Sequence, residues 1–243
     1  MDAIILAAGY ATRLYPLTEN TPKPLLNVAG KPIIEHIIKK LEQITHINKI
    51  YIVTNDKFEQ YFRKWLGNFD AEKPIEIIND GTKSNQDRLG AIGDINHAID
   101  SKNLDNDIIV VAGDNLFELS LMDVANFFKK KKSNVIVLYD VKDTELAKHY
   151  GIVEVNNNII VNFEEKPLNP KSTLASTGIY LFPKKTISLI KKYIDQGNNP
   201  DKTGSFIEWL HKRDVVYSYV SDKKWYDIGS IEQLEKANKY YKK

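Results

Sequence analysis

The feature that most constrains the fold is an alternation of short apolar segments with longer helical patterns over the first half of the chain. Residues 107–112, for example, read DIIVVA, and residues 33–43 carry apolar side chains at helical spacing. Strands that are apolar on both faces and separated by helices are typical of a parallel sheet covered on each side. The predicted strands of this half are residues 2–7, 49–54, 75–78 and 107–112, and the predicted helices are residues 33–43, 58–66 and 89–98.

The second half of the chain has a different pattern, because four short strands follow one another with mainly turns between them. One of these turns is expected at the three asparagines 156–158. The predicted strands are residues 133–140, 151–156, 159–163, 176–182 and 215–220, and the predicted helices are residues 183–196, 206–212 and 231–241. No linker rich in proline, glycine or serine separates the halves. We therefore predict one α/β domain over residues 1–243, with a mixed, mostly parallel central sheet and with halves of about 1–115 and 116–243.

Composition excludes several classes of function. The formal net charge of +2 on 243 residues is too small to favour nucleic acid or a membrane surface as the main partner. The sequence has no cysteine, which excludes disulfides, a thiolate nucleophile and thiolate metal sites. No apolar run approaches the roughly 18 residues that a membrane span needs. Because the N-terminal residues also lack the pattern of a signal peptide, we expect a soluble, cytoplasmic protein.

The segment 4–26, IILAAGYATRLYPLTENTPKPLL, combines a strand, a loop of small residues and two cations. Around Gly9 the backbone is bare enough for a phosphate to approach its N–H groups. Arg13 offers a planar fork for bidentate phosphate contact, and Lys23 is a compact charge on a proline-stiffened segment. These residues alone fit either a phosphate-binding loop or a plain turn with two solvated cations.

Charged residues in three other places have a chemical and a structural interpretation. Asp114 directly follows an apolar strand, where open α/β sheets bind ligands, but it could equally cap a helix. Asp227 could be a turn residue beside a glycine. Glu165 and Lys166 could close a hairpin as exposed charges. Each of these interpretations remains open on the local sequence.

Five motifs, taken in order, resemble the sugar-1-phosphate nucleotidyltransferase family, which includes glucose-1-phosphate thymidylyltransferases and uridylyltransferases. The first is LAAGxxxRLxPLTxxxPKPL from Leu6. The others are VVAGDNLF, YGIVEV with NFEEKP, STGIYLF and WYDIGS. The resemblance covers most of the chain and implies a Rossmann-like, three-layer fold. It also implies an enzyme of class EC 2.7.7, in which a sugar-1-phosphate oxygen attacks the α-phosphate of an NTP and releases pyrophosphate.

By this resemblance, the site residues take defined roles. Arg13 would hold the β- and γ-phosphates, Lys23 would stabilise charge at the α-phosphate, and Asp114 and Asp227 would bind Mg²⁺. The implied nucleotide-binding residues are Leu6, Ala8, Gly9, Ala11, Asn79, Gly81 and Gly90. The implied residues for the sugar phosphate are Asn115, Gly151, Glu165, Lys166 and Gly178. The implied substrates are glucose-1-phosphate with dTTP or UTP, and members of the family are often oligomers, so a homo-oligomer is an option.

Two departures from the family pattern bear on the nucleotide. The family usually has glycine two residues after Gly9, where this chain has Ala11. The stretch 79–95, NDGTKSNQDRLGAIGDI, differs from the glutamine-rich, base-contacting segment of thymidylyltransferases. The identity of the base therefore stays open.

Three other functions compete with this interpretation. A cytidylyltransferase for phosphocholine would share the first motif and both aspartates, but it would need aromatic side chains around a quaternary ammonium, for which Tyr150, Tyr180 and Trp209 are candidates. A non-catalytic, nucleotide-sugar-binding subunit could lose a cation or an aspartate, whereas Arg13, Lys23 and both aspartates are present. A Rossmann dehydrogenase is disfavoured because the loop lacks a complete GxGxxG.

Overall fold

A computed structural model of the protein describes residues 1–241. Within this range the strands are β1 (Asp2–Leu6), β2 (Asn27–Val28), β3 (Lys31–Pro32), β4 (Ile50–Thr54), β5 (Ile75–Asn79), β6 (Ile108–Ala112), β7 (Asn115–Phe117), β8 (Asn134–Asp140), β9 (Gly151–Asn156), β10 (Ile159–Glu165), β11 (Leu174–Phe182), β12 (Val216–Ser221) and β13 (Trp225–Asp227). The helices are α1 (Ile33–Glu42), α2 (Glu59–Leu66), α3 (Ala91–Lys102), α4 (Leu121–Lys131), α5 (Thr144–Ala147), α6 (Lys184–Asp195), α7 (Thr203–Leu210) and α8 (Ile231–Tyr240). Over the same residues, no helix combines the length and the apolar character needed to cross a membrane.

The centre of the fold is a sheet that contains nine of the strands in residues 1–241, in the order β5-β4-β1-β6-β11-β8-β12-β10-β9. Strands β5, β4, β1 and β6 are parallel to one another, and β8 is parallel to β12. Of these nine strands, β10 and β11 are antiparallel to the other seven. Strand β10 pairs with β9 and β12, and β11 pairs with β6, β8 and β9. The predicted mixed, mostly parallel sheet is therefore confirmed.

Helices cover both faces of this sheet because successive residues of its apolar strands point to opposite sides. In β1, Ala3 and Ile5 belong to one hydrophobic core, and Ile4 belongs to the other. The first core is completed by α1, α2, α4 and α8, and the second by α3, α6 and α7. The result is the predicted three-layer α/β architecture.

The predicted elements are present, with shifts at several ends. The helix predicted at 89–98 runs from Ala91 to Lys102, because Gly90 has a positive φ of 80° and delays its start. The strand predicted at 176–182 begins at residue 174 and contains a bulge at Gly178, where φ is 75°. The prediction gives no bounds for helices α4 and α5 or for the short strands β2, β3, β7 and β13. Of these strands, β7 and β13 pair with each other outside the main sheet.

The carboxyl ends of β1 and β6 lie side by side, with Leu6 opposite Ala112. The chain after β6 passes so close to β1 that a Cβ on Gly113 would lie 2.6 Å from the carbonyl oxygen of Leu6. The loop that follows β1 and the aspartate that follows Gly113 therefore leave the sheet at the same edge. Ligands of open α/β sheets bind at such an edge.

Candidate active site

A cleft with two adjoining halves opens at the carboxyl edge of the sheet. One half, of about 460 Å³, is lined by the loop after β1 and by the start of α3. The other, of about 810 Å³, is lined by β9, β10 and β11, by the start of α7 and by β13. Arg13, Ala91, Asp201 and Thr203 line both halves. The cleft can thus hold two ligands that meet at a common boundary.

The loop after β1 is held open by its neighbours. The side chain of Asn55, fully buried at the end of β4, donates from Nδ2 to the carbonyl oxygen of Ala8 at 2.8 Å. Ala11 adopts a left-handed conformation with φ 47° and ψ 40°, and its carbonyl oxygen accepts from Thr18 Oγ1 at 2.8 Å. This conformation explains why glycine suits position 11, since a Cβ there costs about 1 kcal/mol. Ala8, Gly9 and Ala11 all line the smaller half.

Lys23 is the buried cation of the site. It lies in a 3₁₀ turn between Pro22 and Pro24, and the residue is 7% exposed. Its Nζ lies 2.7 Å from Asp114 Oδ2, although the two residues are 91 positions apart. Arg13, by contrast, is exposed to the cleft and is free to meet an anion there.

The pairing of β7 with β13 brings the two predicted metal-binding aspartates together. Asp227 lies opposite Asn115 in this ladder, and the backbone N–H of Ile228 donates to the carbonyl oxygen of Asp114 at 3.2 Å. Asn115 Nδ2 donates to Asp114 Oδ1 at 2.7 Å, and Trp225 Nε1 donates to Asn115 Oδ1 at 2.8 Å. The side-chain bonds orient the Asp114 carboxylate, and the backbone bond holds the two aspartates close.

The electrostatics of the two aspartates differ. Burial, and then the negative charge of Asp114, raise the pKa of Asp227 to about 6, against the opposing effect of Lys23, Arg13 and Lys166. Desolvation in the cleft would also raise the pKa of Asp114, but contact with the Lys23 ammonium outweighs it and the pKa falls below its usual value. Because the side chain of Asp114 is still 39% exposed, desolvation is incomplete and the contact with Lys23 decides the direction. The pair thus attracts a further cation.

The donor set fits Mg²⁺. Among residues 1–241, no cluster of three or more histidine, aspartate or glutamate side chains forms a complete metal cage. Mg²⁺ does not need such a cage, because it is commonly held by one or two carboxylates together with substrate phosphates and water. Asp114 and Asp227 supply two carboxylates from adjacent backbone positions, near enough for the charge of Asp114 to raise the pKa of Asp227. The Lys23 ammonium bound to Asp114 shows that this carboxylate pairs with positive charge.

The larger half contains the residues predicted to bind the sugar phosphate, namely Asn115, Gly151, Glu165, Lys166 and Gly178. Glu165 is packed between two glycines, since a Cβ on Gly151 would lie 3.0 Å from its Oε2 and a Cβ on Gly204 would lie 2.6 Å from the same atom. Gly178 approaches β6 in the same way, because a Cβ added to it would lie 2.8 Å from Ala112 Cβ. Close packing of backbone against the cleft wall is what requires glycine here.

The smaller half contains most of the predicted nucleotide-binding residues. Leu6, Ala8, Gly9, Ala11 and Gly90 line it. Within residues 1–241 the lining includes neither Asn79 nor Gly81. Asn79 Nδ2 instead donates to Asp56 and Glu59 on the α2 side, and its Oδ1 accepts from the N–H of Gly81. Their neighbours Asp80, Asn85 and Arg88 face the cleft in their place.

Two buried carboxyl groups lie beside each other in the smaller half. Asp80 is 8% exposed and Asp94 is 6% exposed. Burial, and then the charge of Asp80, raise the pKa of Asp94 to about 8, so that Asp94 is protonated at neutral pH and hydrogen-bonds to Asp80. Asp80 Oδ1 also accepts from the N–H and hydroxyl of Thr82, each at 2.8 Å. This pair therefore carries one proton within the nucleotide side of the cleft.

A sequence model of the nucleotidyl transferase family matches residues 2–243. The chain belongs to this family. The bifunctional protein GlmU of Methanocaldococcus jannaschii is 34% identical over 99% of this chain and 54% of its own length. The UTP–glucose-1-phosphate uridylyltransferase of Synechocystis is 30% identical over 98% of this chain and 62% of its own length.

A solved structure agrees with the family match. A Bacillus anthracis protein described as a putative glucose-1-phosphate thymidylyltransferase, in complex with sucrose, superposes with a TM-score of 0.83 at 29% identity, covering 98% of this chain and 94% of its own. The chain spans about half the length of the GlmU relatives that it matches.

Some residues that shape this cleft are absent from the sequence prediction. Asn55 positions the loop after β1. It is a polar residue directly after an apolar strand, and this position in the sequence marks it as a candidate site residue. Residues 201–203 and the acid pair Asp80–Asp94 also line the cleft. No local sequence pattern indicates this, because contacts between segments far apart in the sequence bring these residues to the site.

Proposed function

We propose that this protein is an Mg²⁺-dependent sugar-1-phosphate nucleotidyltransferase. In the reaction, a phosphate oxygen of the sugar-1-phosphate attacks the α-phosphorus of an NTP. The bond from that phosphorus to the bridging oxygen breaks, and pyrophosphate leaves with the electron pair. The observation that carries the proposal is the cluster of Lys23, Asp114 and Asp227 at the edge where two adjoining halves of one cleft meet.

Charge and position account for the chemistry that the protein must supply. Lys23 would move from Asp114 towards the α-phosphate, where negative charge accumulates as the new bond forms. Arg13, which lines both halves, would hold the β- and γ-phosphates through its planar guanidinium. The backbone of residues 8–11 would enclose the nucleotide, with Leu6 and Gly90 on the adjoining walls. The substrate brings its own nucleophile, so no nucleophilic side chain is needed.

Asp114 and Asp227 would hold the magnesium ion. When bound, the ion neutralises phosphate charge and stabilises the leaving pyrophosphate. The hydrogen bond from Asn115 to the Asp114 carboxylate, and the bond from the Ile228 N–H to the Asp114 backbone, keep the two carboxylates in place for it.

The larger half would bind the sugar phosphate. Lys166 supplies a cation for its phosphate, and Glu165 supplies a carboxylate that accepts from sugar hydroxyls. Gly151 and Gly178 let the backbone approach the sugar. The names of the relatives support glucose-1-phosphate with UTP or dTTP as the pair to test first, since one is a UTP–glucose-1-phosphate uridylyltransferase and another is described as a glucose-1-phosphate thymidylyltransferase.

We also propose that residues 1–243 act as one domain and work in the cytoplasm, and that assembly into a homo-oligomer is compatible with activity.

Asn79 and Gly81 keep their proposed nucleotide role only if the segment around them turns towards the cleft when nucleotide binds. Otherwise Asp80, Asn85 and Arg88 supply the contacts on this side.

A second candidate function is transfer of a cytidylyl group to phosphocholine. The observation that favours it is aromatic: Tyr150 and Trp225 pack edge to face at 5.0 Å, and both line the larger half together with Tyr180. Aromatic faces bind quaternary ammonium groups. Trp209, the third aromatic predicted for such a cage, is stacked on Phe206 in the second core instead.

The test is pyrophosphate release in the presence of Mg²⁺, with each of dTTP, UTP, CTP, GTP and ATP crossed against glucose-1-phosphate, mannose-1-phosphate, N-acetylglucosamine-1-phosphate and phosphocholine. Turnover with a sugar phosphate supports the proposal and names the base. Turnover with phosphocholine alone selects the second candidate. If no pair reacts but nucleotide sugars bind, the protein is a binding subunit and the proposal is wrong.

A further inference from the structure

The smaller half of the cleft extends along the edge of the sheet from the end of β6 to the end of β5. Lys23 and Asp114 lie at the β6 end, and Asp80 directly follows β5. Strands β1 and β4 lie between β5 and β6, so at about 4.8 Å per strand the two ends are about 14 Å apart. A nucleotide whose α-phosphate meets Lys23 would therefore extend its base towards Asp80.

At the β5 end, two carboxyl groups from different elements form the acid pair. Asp80 at the end of β5 and Asp94 in the first turn of α3 are both more than nine-tenths buried, and both line the cleft. Within residues 1–241, Asp80 Oδ2 and Asp94 Oδ1 are buried and receive no hydrogen bond from any other group. The single proton of the pair satisfies both oxygens only by lying between the two carboxyls.

The second oxygen of Asp94 is left for a ligand. Among residues 1–241, Asp94 Oδ2 has no donor partner and is not one of the fully buried oxygens, so it opens to the cleft that Asp94 lines. It carries no proton and can only accept a hydrogen bond. If Asp94 turned its proton towards a ligand, Asp80 Oδ2 would stay buried without a partner, which is costly.

The nucleobases differ in what they offer to such an oxygen. Cytosine, adenine and guanine each carry an exocyclic amino group, which is a hydrogen-bond donor. The exocyclic groups of uracil and thymine are carbonyl oxygens, which the negative charge of the acid pair repels. Arg88 also lines this half, but its guanidinium is held by Asp201 and by the carbonyl oxygen of Asn85.

We propose that Asp94 contacts the base through this oxygen and selects a nucleotide whose base carries an exocyclic amino group, namely CTP, ATP or GTP, over UTP and dTTP. The inference rests on the proposed function and narrows its nucleotide. It concerns the base alone, so it applies whether the acceptor is a sugar phosphate or phosphocholine. The names of two relatives favour UTP and dTTP instead, and the acid pair of this chain gives the opposite order.

The test removes the amino group from the nucleotide. Calorimetry with Mg²⁺ present compares CTP, ATP and GTP with the triphosphates of 2-pyrimidinone riboside, purine riboside and inosine, each of which lacks only that amino group. For the amino nucleotide that binds most tightly, its removal should weaken binding by about 10-fold to 100-fold, because the Asp94 oxygen then has no donor. UTP and dTTP should bind no more tightly than the nucleotide without the amino group.

Variants of Asp94 show whether this side chain causes the difference. Asp94→Ala should reduce the loss to less than about threefold, since the accepting oxygen is gone. Asp94→Asn should restore most of it, because its amide N–H donates to Asp80 while its carbonyl oxygen still meets the base. Asp100→Ala, at an exposed position of the same helix, is the matched control and should show the wild-type loss. The comparison of nucleotides in wild type decides the question even if the alanine variant fails to fold.

The outcomes separate the two proposals. Tighter binding of UTP or dTTP, or equal affinity with and without the amino group, would overturn the base assignment and leave the proposed function intact. A loss that instead follows removal of the ribose 2′-hydroxyl, measured as dCTP against CTP, would place Asp94 at the ribose and overturn the assignment too. A wild type that binds no nucleoside triphosphate would overturn the proposed function, and this inference with it.

Discussion

Lys23 Nζ and Asp114 Oδ2 lie 2.7 Å apart at the carboxyl edge of the sheet, where the loop after β1 meets the end of β6. The contact joins the cation predicted for the α-phosphate to a carboxylate predicted for the metal. In the proposed mechanism, each group would neutralise the other until a substrate carrying phosphate and Mg²⁺ replaced both contacts. Variants at Lys23 and at Asp227, the second carboxylate, therefore test this arrangement from its two sides.

Lys23→Ala should lower kcat by about 100-fold to 1,000-fold, because it removes a cation placed for charge that develops in the transition state. Stability should change little, since the side chain of Asp114 is partly exposed and stays hydrated when its partner is lost. The measurement is steady-state pyrophosphate release together with the melting temperature. Lys31→Ala, at an exposed position, is the control. A kcat within about threefold of wild type would remove Lys23 from the proposed mechanism.

Asp227→Asn should raise the Mg²⁺ concentration needed for half-maximal rate by about 10-fold or more, because one of two carboxylate ligands becomes neutral. Asparagine keeps the size of the side chain, so the β7–β13 pairing should persist. A magnesium titration of initial rates measures the effect. Asp222→Asn, at an exposed position, should leave the titration unchanged. An identical shift in both variants, or none in either, would contradict the assignment of Asp227.

Gly151→Ala should raise KM for the sugar phosphate by about 10-fold and leave KM for the nucleotide near its wild-type value. The added Cβ would lie 2.5 Å from the Phe163 ring and 3.0 Å from Glu165 Oε2, so the proposed sugar-binding carboxylate must move. Both KM values are measured with the other substrate saturating. Gly67→Ala has space for its Cβ at 3.6 Å and serves as the control. Equal changes in the two KM values would argue against a sugar role for this wall.

Asp94→Asn should stabilise the protein at alkaline pH. The pKa of Asp94 is about 8 in the folded protein and about 4 in the unfolded chain. Between these two pH values the native state keeps a proton that the unfolded chain has already lost. The stability of wild type therefore falls as pH rises through this window and levels off above it. Asparagine donates a similar hydrogen bond to Asp80 without titrating, and its advantage at about pH 9 should be on the order of 1–3 kcal/mol.

Urea unfolding at about pH 6 and about pH 9 measures this effect, with Asp70→Asn as an exposed control. The difference between the Asp94→Asn variant and wild type should be larger at the alkaline pH than at the acidic one. A difference that is the same at both pH values would mean that the acid pair does not hold its proton.

Local sequence patterns were sufficient to predict the layered α/β fold and, through five ordered motifs, the family. The continuous apolar character of segments such as residues 2–7 and 107–112 is a local property. It indicates strands that are buried on both faces, and therefore a sheet covered by helices on each side. The motifs also carried Lys23, Asp114 and Asp227 as candidates.

Which of these candidates meet depends on the long-range contacts of the folded chain. Asp114 and Asp227 come together because β7 pairs with β13, two strands of three residues each that are too short to leave a pattern of their own. The Asn79 side chain bonds towards α2, while its neighbour Asp80 faces the cleft and shares a proton with Asp94 on a helix. Asp201 and Thr203 line both halves of the cleft for the same reason. Such contacts join chain segments far apart in sequence, and the free energy that selects them comes from packing the whole sheet and its helices, which no local pattern contains.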